Sequence, residues 1–138
     1  MNRSTLGRTL ALGAITGMRT TAGAATLAYE HGGLVSRVFG LLAAGEMIAD
    51  KMPFIGDRID PGPLAGRALM GAAVGAAVAY EERDDLLVGG LVGAATAVAV
   101  AHLAFHARKR LAQSSPIGGA IEDAIVLGLA AGAARLRV

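Results

Sequence analysis

The chain has 138 residues, 54% of them hydrophobic, with 20 glycines, no cysteine, no tryptophan and a formal charge of +2. A mean hydropathy of +0.53 exceeds that of an ordinary soluble domain, where apolar residues make up ~45–50% even with glycine counted. The missing cysteines exclude disulfides, cysteine-ligated zinc and thiol nucleophiles. The pI near 9.5 comes without a basic face interleaved with aromatics, so nucleic acid is not an expected partner.

Five apolar blocks follow in order, near 9–29, 33–50, 63–80, 86–106 and 116–134. A helix needs about 20 residues to cross the hydrocarbon core, which the first and fourth blocks supply and the others approach. The expected fold is all-α: a polytopic membrane protein of about five transmembrane helices forming a single membrane domain over 1–138.

The first block follows Arg3 and Arg8 and contains Arg19, flanked by Thr20 and Thr21. Its start resembles a signal peptide, with Ala-Gly-Ala-Ala at 22–25 as a cleavage site, but Arg19 inside the apolar run argues for a retained helix. The second block carries Glu46 and Asp50 four residues apart on one helix face. Lys51 to Pro63 then reads KMPFIGDRIDPGP, and its prolines and glycines forbid a continuous helix. Lys51 and Arg58 in this stretch are candidates for contact with a lipid headgroup or phosphate, although a salt-bridged loop is the plainer reading.

Arg67 lies one turn into the third block. The next connection, Glu81-Glu82-Arg83-Asp84-Asp85, is strongly acidic, and the one after the fourth block carries Arg108, Lys109 and Arg110. Ser114-Ser115-Pro116 reads as a helix start, because serine caps and proline fits the first turn. Glu122 and Asp123 sit early in the fifth block, which either spans or is re-entrant. Basic and acidic connections alternate, which places the amino terminus and residues 106–115 in the cytoplasm and Glu81–Asp85 outside a bacterial inner membrane.

An internal similarity spans the chain at an offset of 76 residues. Gly13-Ala14-Ile15-Thr16-Gly17 aligns with Gly89-Gly90-Leu91-Val92-Gly93, and without a gap Glu46 falls on Glu122. The copies cover about 10–50 and 86–126, joined by a linking helix over 63–80. Five crossings would set them in opposite orientations, the inverted repeat of many transporters. Gly13/Gly17, Gly71/Gly75, Gly89/Gly93 and Gly128/Gly132 each place two small residues on one helix face. That spacing permits close helix contact within the subunit or in a homo-oligomer, a dimer being favoured.

Charge at membrane depth is costly and marks function by default. At 1.5 Å per residue, Arg19 lies about 15 Å deep and Glu46 about 7–12 Å from the same side. Arg19 with Glu46 is the expected first pair, and Arg67 with Glu122 or Asp123 the second. The candidate ion- or substrate-binding residues are therefore Glu46, Asp50, Glu122, Asp123, Arg19 and Arg67. His102 is a weaker candidate for a proton relay.

These residues carry a resemblance. Gly17-Met18-Arg19-Thr20, the run Glu46, Asp50, Lys51 and Pro53, then Arg58, Gly66-Arg67-Ala68 and Glu122-Asp123 resemble the pattern of a family of small bacterial integral membrane proteins of unknown function. The resemblance covers nearly the whole chain. It implies a bacterial membrane location and singles out these positions, but it implies no activity. The expected function is a small transporter or channel for a cation or proton-coupled solute, using intramembrane carboxylates and no cofactor. The alternative is a non-catalytic scaffold or lipid-binding protein whose buried ion pairs are structural. A membrane enzyme is the weakest reading, since no metal motif or activated nucleophile accompanies the acids.

Overall fold

The computed structural model describes residues 1–49, 59–111 and 116–135, with the side chains of Met47, Ala49, Leu111, 116–119, Glu122, Ala134 and Arg135 left aside. Six helices form, and no strand occurs among the described residues: α1 (Arg3–Met18), α2 (Ala22–His31), α3 (Gly33–Ala49), α4 (Pro61–Glu81), α5 (Leu86–Leu111) and α6 (Pro116–Arg135). The all-α expectation holds. The count differs because the first apolar block is two helices.

That break has a local cause. α1 begins at Asn2, whose side-chain oxygen accepts from the Thr5 N–H at 2.8 Å, and ends where Arg19 adopts extended backbone at φ −139°. Thr20 and Thr21 are β-branched and weak helix formers, and the Ala22 N–H bonds back to the Arg19 carbonyl at 3.1 Å to close a turn. α2 then runs back along α1, with Gly23 seated against Thr16 and Leu12, and Glu30 reaching Arg8. Block one is thus a helical hairpin and not one crossing.

The frame is the α4–α5 hairpin, the most extensively packed pair of helices. α4 opens on Pro61 and Pro63, as proline in a first turn allows. Asp85 caps α5 through bonds from the Leu87 and Val88 N–H groups at 2.9 and 3.1 Å. The interface is backbone against backbone. A Cβ on Gly71 would lie 2.6 Å from the Gly93 carbonyl oxygen, and one on Gly89 would lie 2.6 Å from that of Gly75. Only glycine permits this approach, so two of the four Gly-x3-Gly pairs are consumed here. α1 lies along α5 with Gly13 on Gly93 and Thr96 and Gly17 on Ala97, Val100 and Ala101.

Those contacts fix directions. Residue numbers rise together along α1 and α5, so the two helices are parallel, whereas Gly71 on Gly93 and Gly75 on Gly89 make α4 and α5 antiparallel. The opening segments of the two similar stretches, α1 and α5, therefore share one orientation. The inverted relation expected from five crossings does not hold for them, because the extra turn at Arg19–Thr21 changes the parity. For the same reason the amino terminus and Glu81–Asp85 lie at one end of the bundle. The Asn2 N–H donates to Asp84 at 2.7 Å, and Arg8 pairs with Glu81 at 2.8 Å. The expected placement of these two regions on opposite sides is overturned.

α4 and α5 are each long and apolar enough to cross a membrane, with only 33% and 22% of their apolar windows buried inside the protein. Large apolar side chains face outward throughout, including Leu41, Leu69, Leu87, Leu91 and Leu103. The largest fully buried side chains are Arg8 and Arg19, ahead of Leu12 and Ile15. Thr16, Thr26 and Thr96 settle their hydroxyls on the carbonyl four residues earlier.

Candidate functional site

Two charged clusters lie in the bundle, one at an end and one near mid-height. The end cluster centres on Arg8, 1% exposed. Its guanidinium meets Glu30 of α2, Glu81 at 2.8 Å and Glu82 at 3.3 Å, both at the end of α4. His31 Nε2 lies 3.1 Å from the other Glu81 oxygen. Three carboxylates around one cation tie the α1–α2 hairpin to α4. Among the described residues no group of His, Cys, Asp or Glu has the geometry of a metal site.

The second cluster surrounds the tip of the α1–α2 hairpin. Gly17 against Ala101 places the tip near the middle of α5, about 15 Å from Leu111 and about 22 Å from Leu86. Arg19, 2% exposed, pairs with Asp123 of α6. Glu46, from α3, turns both carboxylate oxygens onto the tip, accepting from the Thr20 N–H at 2.6 Å, the Thr21 N–H at 2.8 Å and the Thr21 hydroxyl at 2.7 Å. These N–H groups open α2 and have no partner within its own first turn, so a carboxylate from another helix supplies the acceptor. Arg67, 3% exposed, bonds the Pro63 carbonyl at 3.4 Å and falls level with this layer, one turn before Gly71 on α4.

The expected residues therefore converge, but with different partners. Glu46 binds the backbone at the tip and not the Arg19 guanidinium, because the helix break brings N–H groups to where the unbroken helix would have shown only side chains. Asp123 goes to Arg19 and not to Arg67, because the turn at 19–21 points the arginine toward α6. Glu122 lies beside Asp123 on α6, its side chain outside the described residues. Asp50, Lys51 and Arg58 also lie outside them. His102 sits in the second half of α5, half-buried.

Sequence reading missed the Arg8 cluster, taking Arg8 as a flanking charge and Glu30 and Glu81–Glu82 as connections. One signal was present. Arg8 and Glu30 are each 11 residues from Arg19, so a hairpin folded at Arg19 brings them face to face.

Compared with known proteins, the chain matches no family model, no curated sequence and no solved structure. The functional reading therefore rests on the two clusters and the surface around them.

Proposed function

We propose that this is a multi-pass membrane protein that acts as a small transporter or channel, with the hairpin tip as its ion-handling site. The observation that carries the reading is the placement of the tip. A broken helix ends inside the bundle at the buried Arg19, and Glu46 and Asp123 converge on it. In a bilayer, irregular backbone at depth is tolerated where protein or a water-filled cavity receives it, and discontinuous helices of this kind form the binding sites of many transporters. An apolar exterior around buried arginines is the inverse of a soluble protein and suits a lipid surround. Tyr29 and Tyr80, 79% and 74% exposed, lie at the same end as the Arg8 cluster, where interfacial tyrosines belong.

The basic run Arg108–Arg110 closing α5 supports a cytoplasmic position for that end. The amino terminus, which shares the opposite end with Glu81–Asp85, then faces away from it, in the reverse of the orientation expected from alternating connections. The transported species is a small cation or a proton-coupled solute, with Glu46 and Asp123 as its carboxylates. If copies of the chain associate, Gly128/Gly132 is the one of the four glycine pairs with nothing seated on it among the described residues.

Reconstitution in liposomes tests this. Flux of a small ion is expected, and it should fall strongly in both Glu46→Gln and Asp123→Asn while both variants keep their helical content. Flux that survives both substitutions removes these acids from the mechanism. The scaffold reading draws on the pairing of Arg8 with three acids, and it prevails if a broad ion panel shows no flux at all.

A further inference from the structure

We infer that α3 is a hinged gate, held shut over the hairpin tip by the Glu46 carboxylate. Three observations meet in this one helix. The first is its attachment. Gly32 and Gly33, at φ +67° and +75°, link it to α2, and two successive residues in this region make a joint that only glycine adopts without strain. The second is its packing. Among its described residues α3 has no fully buried side chain; Phe39 packs partly buried against the core, and the helix rests chiefly on α2. Among its described residues the inward face is a stripe of Ser36, Phe39, Ala43 and Glu46, while Leu34, Leu41 and Ile48 are exposed at 75%, 74% and 63%. The third is the latch. Glu46, at the end of the stripe far from the hinge, makes three hydrogen bonds to Thr20 and Thr21.

Among the described residues, a helix joined to α2 by two glycines and held near its other end by the Glu46 hydrogen bonds has a definite way to move. Losing the three bonds at Glu46 frees the far end, and rotation about Gly32–Gly33 carries it off α2. Beneath it runs a groove of about 340 Å³ between α2, α3 and α6, lined by small residues such as Ala25, Gly40 and Ala130. Apart from Tyr29, the groove lining is small, and Phe39 is the large side chain that α3 sets against the core. Swinging α3 out releases the Glu46 carboxylate from the tip N–H groups and frees it for a cation entering along the groove. The inference deepens the transport reading, resting on it for the purpose of the motion but not for the motion itself.

The chain has no cysteine, so two introduced cysteines carry spin labels without background. One pair, Leu41→Cys with Leu103→Cys, spans α3 and α5 at exposed positions; a second, Tyr29→Cys with Leu103→Cys, spans α2 and α5. Distances are measured in lipid nanodiscs, in the parent and with Glu46→Ala. The expected result is a new α3–α5 population displaced by about one helical turn, ~5 Å or more, with the α2–α5 distance unchanged. Glu46→Asp, which keeps the charge but shortens the reach, should populate it partially. An α3–α5 distance unmoved by Glu46→Ala overturns the gate. So does a change in both pairs together, which reports loosened packing and not a swing. Flux with an immobile α3 sinks the gate and leaves transport standing, whereas a moving α3 without flux does the reverse.

Discussion

The α4–α5 and α1–α2 hairpins are held by opposite means. In α4–α5 the backbones touch, and four glycines leave no side chain between Gly71 and Gly93 or between Gly75 and Gly89. In α1–α2 the ends are fixed by charge: Arg8 clamps the open end through Glu30, and Glu46 and Asp123 hold the tip. Dispersion between close backbones acts along the whole length of a helix pair and needs no partner elsewhere. A buried ion pair adds little net stability but leaves a severe defect when one member is lost. The first hairpin is therefore a frame; the second is an insert that lies against it through Gly13 and Gly17, and a few charged side chains fix its two ends.

The contrast is sharpest at Arg8. Arg8→Met leaves Glu30, Glu81 and Glu82 facing one another without the guanidinium and should cost about 3–5 kcal/mol. Thermal unfolding of the detergent-solubilised protein, followed by circular dichroism, reads this loss. A near-neutral result would break the comparison, since the insert would then be held by packing alone.

Gly75→Val probes the frame. Its side chain meets the Gly89 carbonyl and the Gly93 Cα, which are backbone and cannot turn aside, and overpacking of this kind costs ~1–3 kcal/mol or more. Gly128→Val is the matched control: with nothing within 4 Å of its Cβ, it should change stability by less than about 0.5 kcal/mol. Equal effects at both positions would mean that the glycine contacts do not define the frame.

Thr21→Val removes only the hydroxyl bond to Glu46 and keeps the two N–H donors, so a loss of about 1 kcal/mol is expected in the same unfolding assay. A loss as large as that of Arg8→Met would mean that the tip, not the open end, anchors the insert.

The smallest effect concerns pH. The Asp84 carboxyl is held down to about 2 by the Asn2 N–H, then by the Asp85 N–H and the terminal amine. Because its folded pKa is depressed, its contribution is complete above the ordinary carboxylate range near ~4 and fades as pH falls toward 2. The Asn2 amide resonance should titrate with a midpoint near 2 and lose that titration in Asp84→Asn. A midpoint near 4 would detach the amino terminus from the frame.

Much of the frame was legible because its signals are local. Gly-x3-Gly spacing, prolines in the first turns of α4 and α6, and apolar runs of helical length each lie within 20 or so residues. The insert was harder to read. Thr20 and Thr21 weaken a helix without forbidding it, so an apolar run through them looks continuous. Treating it as continuous put the amino terminus and Glu81–Asp85 at opposite ends and set α1 antiparallel to α5. The convergence of Arg19, Glu46 and Asp123 in one layer was foreseen from depth along the helices, which is a one-dimensional quantity. Their pairing was not, because it depends on rotation about each helix axis.

By itself the sequence determined an all-α chain, the places where most helices start and stop, the apolar exterior and part of the set of buried charges, Arg19 and Arg67 but not Arg8. Only the tertiary structure decided that the first block folds back on itself, that Arg8 gathers three acids, and that Glu46 closes on backbone. The reason is the range of the interactions. Helix formation and glycine spacing are settled within a few turns, whereas Arg8 and Glu82 are separated by 74 residues and Arg19 and Asp123 by 104. Such partners are chosen by how the helices pack and turn against one another, and a single glutamate on α3 reaches the hairpin tip only once that packing exists.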